Sequence, residues 1–212
     1  MKFSLINAKI HHLETCQSGL MYLFAKEVFG LNRTGGSNPP VSAKIKSMKN
    51  QENNYAFIDG QNLHLGVKDL GWKLNYKRFL IYLREKYQAS KTYLFIGYVP
   101  ENQELYKFLQ EYGYILIFKP ILIPKDGKPK GNVDADLVLH TMIEYPNYNK
   151  AIIVTSDGDF YSLVEYLYSN NKLRIVLASH KKKCSVLLQK KAREKIDFMD
   201  NLKGKLEYKN RK

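Results

Sequence analysis

The chain has 212 residues with 34 Lys/Arg and 20 Asp/Glu, so its formal net charge is +14. Hydrophobic residues make up 44% of it, and 13 Gly and 7 Pro exclude a collagen-like or low-complexity chain. No apolar run approaches the ~20 residues that a membrane helix needs, and two cysteines do not make a disulfide framework. We therefore expect a reduced, cytoplasmic protein with one main domain, no membrane partner and a preference for polyanions.

The positive charge is concentrated at the C-terminus. Residues 1–47 hold six Lys/Arg and two acidic residues, residues 48–180 hold 16 and 14, and residues 181–212 hold 12 and four. We predict that the last of these segments is a basic helix and tail. Two interpretations of it stay open: a solvated or disordered end, or an arm for nucleic acid. The second assigns backbone contacts to Lys181, Lys182, Lys183, Lys190 and Lys191.

Residues 1–47 differ from the rest of the chain. The first six residues resemble the start of a signal peptide, but no apolar stretch of adequate length follows. Residues 30–40 are rich in turn formers, and residues 36–39 read Gly-Ser-Asn-Pro, which one reading frame of a transfer RNA gene's T-arm encodes. We interpret this leader as upstream translation before a start at Met48, or alternatively as a disordered leader or targeting peptide. Peptides from residues 1–47 of the native protein would contradict upstream translation.

From residue 55 onward, apolar strands alternate with amphipathic helices. The patterns predict, in chain order, strand 55–58, helices 61–68 and 76–87, strand 92–97, helix 102–112, strand 114–118, helix 133–144, strand 151–154, helix 160–168, strand 173–177 and helix 186–193. The strand at 151–154 is continuously apolar, as a strand buried on both faces is. This alternation predicts an α/β domain over residues 48–180, with a central parallel sheet of about five strands between two layers of helices.

Five aspartates lie where such a sheet places its ligands, beyond the carboxyl ends of its strands. Asp59 follows the first strand, Asp157 and Asp159 follow the fourth, and Asp134 and Asp136 begin the helix before the fourth strand. If the first and fourth strands are neighbours, all five carboxylates face one crevice.

Clustered carboxylates repel one another, by roughly 4 kcal/mol for a pair ~4 Å apart at an effective dielectric constant of about 20. A bound cation relieves this repulsion, and oxygen ligands favour Mg²⁺ or Mn²⁺. Such a site activates water and stabilises charge on a phosphate oxygen. Taken singly, each aspartate has a simpler interpretation as a turn or helix-capping residue; taken together, at strand ends, they favour a metal site.

Three segments resemble the three motifs of NYN domains, which belong to the PIN-like nuclease superfamily. They are Phe-Ile-Asp-Gly-Gln-Asn-Leu at 57–63, Lys-Gly-Asn-Val-Asp-Ala-Asp-Leu at 130–137 and Val-Thr-Ser-Asp-Gly-Asp-Phe at 154–160. The resemblance spans about residues 55–178 with the motifs in the expected order. It implies a Rossmann-like, three-layer PIN-like sandwich and a ribonuclease-type site that uses Mg²⁺ or Mn²⁺.

Carried over by motif, the resemblance implies that Asp59, Asp134 and Asp157 are metal ligands, with Asp159 beside them and Asp136 in a less constant catalytic position. The same comparison makes Asn62 a polar neighbour of the first ligand. Many NYN sequences have an acidic residue where this chain has His140, which we interpret as a helix-face residue.

We predict hydrolysis of RNA phosphodiester bonds by this site. Thr155, Ser156 and Asn62 would hydrogen-bond metal waters or the phosphate, and Lys130 would offset phosphate charge. The alternative is a non-cleaving RNA-binding or adaptor module on the same fold. A homodimer is compatible with the sequence. Two other readings fit poorly: a phosphatase with a nucleophilic aspartate needs a second aspartate two residues after Asp59, and a dinucleotide site needs a Gly-rich turn there.

Overall fold

A computed structural model describes residues 52–119 and 133–209 of the chain. The predictions for the leader at 1–47 and for Lys130 lie outside the described residues. Within the described ranges, no helix is long and apolar enough to cross a membrane.

A single parallel sheet forms the centre of the fold. It has six strands in the order β3-β2-β1-β4-β5-β6. The strands are β1 (Asn54–Asp59), β2 (Ala89–Gly97), β3 (Ile115–Lys119), β4 (Ala151–Val154), β5 (Leu173–Ala178) and β6 (Ile196–Phe198). The predicted α/β class and parallel sheet are confirmed, and five of the six strands lie where the sequence predicts them. From β1 the chain adds β2 and β3 on one side of the sheet. It then returns to pair β4 with the other side of β1 and adds β5 and β6 beyond it.

Seven α-helices connect and cover the strands within the described residues. They are α1 (Gly60–Asp69), α2 (Tyr76–Tyr87), α3 (Gln103–Tyr112), α4 (Val133–Ile143), α5 (Tyr161–Ser169), α6 (Val186–Ala192) and α7 (Lys203–Leu206). Helix α2 has the predicted bounds, and Asn75, a residue type that favours the N-cap position, caps it by accepting a hydrogen bond from the Arg78 backbone N–H. Gly113 ends α3 in the left-handed region, with φ +103°.

The sheet separates two apolar cores. Alternate residues of β1 point to opposite faces: Ala56 and Ile58 pack with α1 and α2, whereas Tyr55 and Phe57 pack with α4, α5 and α6. All six residues of β1 are buried. Because both faces are covered, the strand ends are the accessible polar part of the sheet.

Two helix faces differ from the prediction. The sequence predicts that Leu105, Phe108 and Leu109 share the buried side of α3, but Leu105 and Phe108 are exposed and the buried pair is Tyr106 and Leu109. Tyr106 is drawn inward because its hydroxyl accepts from the Val99 N–H and donates to a carbonyl at the end of β2. At the end of α4, Ile143 is 57% exposed and is not the core contact that the pattern predicts.

The C-terminal segment contributes to the core as well as to the surface. It contains the predicted helix, α6, but also strand β6, which was not predicted and which pairs with β5 through Val176 and Ile196. Met199 and Leu206 are buried against the core. The basic segment is therefore anchored to the sheet at least as far as α7.

Candidate active site

The candidate site lies where β1 and β4 end side by side. The two strands are parallel and in register, with Ile58 opposite Val154. Asp59 and Thr155 follow these residues directly, so they emerge together at the carboxyl edge of the sheet. This is the topological switch point at which open α/β sheets bind ligands. The condition set from the sequence, that the first and fourth strands are neighbours, is thus confirmed for β1 and β4.

Asp59 is a buried carboxylate held by two donors. One oxygen, Oδ1, accepts from the Asn62 N–H at 3.0 Å and caps α1, and the other accepts from the Thr155 hydroxyl at 3.4 Å. The residue is only 5% exposed. Burial, together with the charges of Asp134 and Asp157, raises the pKa of Asp59 above its ordinary value, although its hydrogen bonds oppose the shift.

The loop after β4 carries the second group of site residues. The Asp157 N–H donates to the Thr155 hydroxyl at 3.2 Å, and Asp157 Oδ1 accepts from the Asp159 N–H at 3.0 Å. The Ser156 N–H donates to Asn62 Oδ1 at 2.9 Å. Asn62 therefore ties α1 to this loop and fixes the relative positions of the acids that follow β1 and β4.

Helix α4 brings Asp134 to the same crevice. Asp134 and Asp136 lie in its first turn. Partial burial and the charges of Asp157 and Asp159 raise the pKa of Asp134, and the Lys119 ammonium partly offsets this. Asp136 instead lies 3.7 Å from Lys119 Nζ. Four of the five predicted carboxylates thus influence one another, and the fifth faces a lysine.

The capping interpretation and the ligand interpretation of these aspartates are compatible. Asp59 caps α1, and Asp157 caps the short 3-10 helix Gly158–Phe160. The cap of Asp157 uses Oδ1, and its Oδ2 has no hydrogen-bond donor among the described residues. A carboxylate has two oxygens with about four acceptor sites, so each cap leaves capacity for a ligand.

The donor set suits a hydrated divalent cation. Carboxylate oxygens are the ligands that Mg²⁺ and Mn²⁺ prefer, and Mg²⁺ is usually held by one or two carboxylates while it keeps several waters. Within residues 52–119 and 133–209, no three His, Cys, Asp or Glu side chains converge closely enough to hold an ion together. A cation held here would therefore have at most two direct carboxylate ligands from the described residues.

Lys119, the last residue of β3, was not singled out from the sequence. Its ammonium is buried, and within the described ranges it has no hydrogen-bond partner, with Asp136 at 3.7 Å. A basic residue at the carboxyl end of a strand of a parallel sheet is the signal that could have identified it. It places one positive charge beside the acidic group.

The predicted RNA-contacting lysines fall into two groups. Lys181–Lys183 form a 3-10 helix after β5, at the same edge of the sheet as the acids, and Lys190 and Lys191 lie on α6. Lys183 is paired with Asp69, and Lys191 with Glu165. Lys181, Lys182 and Lys190 form no ion pair among the described residues and are exposed.

His140 occupies the position where many NYN sequences have an acidic residue. Its ring packs edge-on against Phe95, with centroids 5.6 Å apart. It lies on a helix face, as the sequence interpretation expected.

Comparisons with known proteins agree with this architecture. The NYN domain family profile matches residues 55–200. A crystal structure of a protein of unknown function, VPA0982 from Vibrio parahaemolyticus, is similar with a TM-score of 0.63 and 20% identity, over 73% of this chain and 97% of that one. This likeness bears on the fold alone. No curated protein matches the chain. The chain belongs to the NYN domain family, a member of the PIN-like nuclease superfamily.

Proposed function

We propose that this protein is a metal-dependent ribonuclease that hydrolyses RNA phosphodiester bonds. The observation that supports this most is the group of Asp59, Asp134 and Asp157 on a nuclease-superfamily fold, where burial and the neighbouring carboxylates raise the pKa of Asp59 and of Asp134. A fold that keeps such repulsion at an exposed crevice retains it for a function.

In this proposal Asp59, Asp134 and Asp157 would hold a hydrated Mg²⁺ or Mn²⁺, one or two of them directly and the rest through the ion's waters. When bound, the cation would supply Lewis-acid polarisation of a phosphate oxygen and a water of lowered pKa. Asp136 and Asp159 contribute through hydrogen bonds to the ion's waters.

The chain's own polar groups orient the RNA. Asn62 Oδ1 accepts from the Ser156 N–H, and the amide NH₂ of Asn62 donates to no group among the described residues, so it can donate to a phosphate oxygen. The Thr155 hydroxyl joins Asp59 to the backbone N–H of Asp157 and keeps the two carboxylates at a fixed separation.

Basic side chains attract the RNA backbone. Lys181 and Lys182 are exposed at the site's edge of the sheet, with Lys183, Lys190 and Lys191 farther along the same segment. Neutralising several phosphates makes affinity fall steeply with salt, so binding should weaken strongly between about 50 and 200 mM salt. We also propose that Lys130 joins these contacts.

One observation favours the alternative, a non-cleaving RNA-binding or adaptor module. Among the described residues, no three potential ligands converge on one point. An RNA-binding surface would need the lysines but not a metal-holding arrangement, and a fold by itself does not determine activity.

The test uses the full chain with labelled single-stranded RNA, in Mn²⁺, in Mg²⁺ and in chelator. Asp59→Asn and Asp157→Asn are compared with Glu111→Gln, which removes an exposed carboxylate on α3 paired with Lys107. Cleavage that is lost in chelator and in both aspartate variants, but kept in the control, supports the nuclease. Cleavage that survives both aspartate substitutions contradicts it, and RNA binding without cleavage in either metal favours the adaptor.

A further inference from the structure

A cleft of about 370 Å³ adjoins the acidic crevice on the side of β5. Its walls come from α1, from the loop after β4 and from the loop after β5. Its lining includes Asn62, Leu65, Ser156, Asp157, Ser179 and Lys183. The cleft thus shares Asp157 and Asn62 with the candidate active site. A larger depression, of about 630 Å³, lies between α2 and α7 and is lined by none of these strand-end residues.

The floor of the cleft carries a hydroxyl hydrogen that has no acceptor within residues 52–119 and 133–209. Ser156 and Ser179 are buried, their hydroxyl oxygens are 2.9 Å apart, and the Ser179 N–H donates to Ser156 Oγ at 3.0 Å. Two hydroxyls carry two hydrogens, but their mutual bond uses only one. Neither hydroxyl has another acceptor among the described residues, so one donor remains. That hydroxyl is therefore available to donate to an acceptor on a ligand in the cleft.

Two glycines pack closely against serines that line the cleft: Gly66 against Ser179 of the floor, and Gly158 against Ser185. A Cβ at Gly66 would lie 1.9 Å from Ser179 Oγ, and a Cβ at Gly158 would lie 2.5 Å from Ser185 Oγ. Any larger residue at either position would displace a serine hydroxyl. The close approach of α1 and of the loop after β4 to these serines therefore depends on glycine.

The rim combines charge with apolar surface. Lys183 Nζ lies 2.6 Å from Asp69 Oδ2, so the ammonium is held at the mouth of the cleft. Leu65, on α1, is 49% exposed and also lines the cleft. Hydrogen-bond donors on the floor and rim, with an apolar side chain on one wall, match a nucleotide, which has a charged phosphate and an apolar base face.

We propose that this cleft binds one nucleotide of the substrate strand, beside the phosphodiester held at the acidic crevice. The phosphate accepts from Lys183 and from the free hydroxyl of the Ser156–Ser179 pair, and the base lies against Leu65. The placement beside the scissile bond rests on the proposed ribonuclease function, whereas nucleotide binding itself does not require cleavage.

The first experiment titrates the full chain with uridine 5′-monophosphate, with uridine and with inorganic phosphate. Calorimetry in the presence of chelator measures each binding affinity. The variants are Lys183→Met and the double substitution Ser156→Ala/Ser179→Ala, because a single serine substitution would leave one free hydroxyl. The matched controls are Lys107→Met, an exposed lysine paired with Glu111, and Ser169→Ala at the end of α5. If the double variant fails to fold, Lys183→Met alone decides.

We expect the nucleotide to bind more tightly than uridine or phosphate, and each cleft variant to weaken its binding about tenfold, as losing a hydrogen bond to a charged group does. The controls should bind as the unmodified chain does. Nucleotide binding that is unchanged in Lys183→Met contradicts the proposal, and so does inorganic phosphate that binds as tightly as the nucleotide.

A second measurement separates this proposal from the proposed function. In RNA cleavage assays, both cleft variants should raise KM about tenfold, and Lys183→Met, which lies outside the acidic crevice, should do so with little change in kcat. Cleavage with an unchanged KM in both variants overturns the cleft and leaves the nuclease standing. The chain could also bind the nucleotide but cleave no RNA, while the cleft variants lose nucleotide binding. That result would overturn the nuclease and leave the cleft standing as a nucleotide site.

Discussion

Acidic side chains at the two ends of the sheet have pKa shifts of opposite sign. At the amino end, Glu52 accepts from the Asn54 side-chain amide at 2.9 Å and lies 3.2 Å from Lys150 Nζ and 3.7 Å from Arg174 Nε. The Asn54 hydrogen bond and these cations lower its pKa, although burial opposes the shift. At the carboxyl end, burial and neighbouring carboxylates raise the pKa of Asp59 and Asp134.

The difference shows that this fold has cations available for pairing but does not direct them to its most buried carboxylate. Glu52 is stabilised by its surroundings as a charged group, whereas Asp59 is destabilised as one. Residues that reduce stability while lying at a ligand-binding edge are typical of functional sites. The comparison therefore assigns a structural role to the amino-end acid and a binding role to the carboxyl-end acids.

The largest expected effect is on catalysis. Asp59→Asn or Asp157→Asn should reduce the rate of RNA cleavage by a factor on the order of 10³, because each change removes a charge that interacts with the reacting groups. Glu52→Gln, at the opposite end of the sheet, should cleave at the unmodified rate. Rates are measured with Mn²⁺ on the same labelled RNA. Equal losses in Glu52→Gln and Asp59→Asn would break the contrast between the two ends.

The second effect is on stability in the absence of metal. In chelator at neutral pH, Asp59→Asn should raise the free energy of unfolding by about 1–2 kcal/mol, within the usual range for stabilising substitutions. An asparagine keeps the oxygen that accepts from the Asn62 N–H and removes the repelled charge. Urea unfolding measures this, and adding Mn²⁺ should stabilise the unmodified chain more than the variant. A less stable Asp59→Asn protein in chelator would contradict the assignment of Asp59 as a repelled charge.

The same contrast predicts opposite dependences on pH. The folded pKa of Asp59 lies above its ordinary value of 3.8, so between the two values the folded chain binds more protons than the unfolded chain. The Asp59 contribution to stability therefore falls as pH rises through that window, and Asp59→Asn should remove this part of the slope. Glu52, whose folded pKa lies below 4.5, contributes stability above that value and loses it as pH falls through the folded pKa. Urea unfolding in chelator at a series of pH values measures both. A Glu52→Gln chain with the same acid slope as the unmodified protein would contradict the second statement.

A smaller effect is expected from the structural acid alone. Glu52→Gln should lower the free energy of unfolding by about 1 kcal/mol or less, because its ion pairs are partly exposed and screened by solvent. This corresponds to a Tm lower by about 2–4 °C for a chain of this size. Glu111→Gln, whose carboxylate lies 4.0 Å from Lys107 on an exposed helix face, is the matched control and should change Tm less. If Glu111→Gln lowered Tm more than Glu52→Gln does, the ion pairs of Glu52 would have no special role in stability.

How much of this could be predicted from sequence depends on how local each feature is. The bounds of α2 and its Asn75 cap were predictable because the cap and the apolar spacing lie within one short segment. The positions of Asp59, Asp157 and Asp134 at strand and helix ends were predictable for the same reason. Strand β6 was missed because it has only three residues, and its pairing with β5 depends on the tertiary fold.

The features that were missed at the site share a physical cause. The contact of Lys119 with Asp136 and the contact of Gly66 with Ser179 each join residues far apart in sequence. Periodicity and motif spacing carry no information about such pairs. The sequence therefore placed Asp59, Asp134, Asp157 and Asp159 near one edge of the sheet, but it did not predict that Asp136 faces Lys119 or that a cleft adjoins these acids.

The smallest predicted effect concerns that lysine. Among the described residues, Lys119 lies near the site acids much as Lys150 and Arg174 lie near Glu52, and its charge partly offsets the raised pKa of Asp134. If it acts through its charge, Lys119→Met should tighten Mn²⁺ binding about threefold, because a positive charge some distance from the ion no longer repels it. Calorimetry on the full chain measures the affinity, with Lys107→Met as the control for loss of a remote positive charge and Lys119→Arg as the variant that keeps it. Weaker Mn²⁺ binding in Lys119→Met would show instead that the lysine orients Asp136 as a ligand, and the carboxyl-end acids would then depend on a structural ion pair just as Glu52 does.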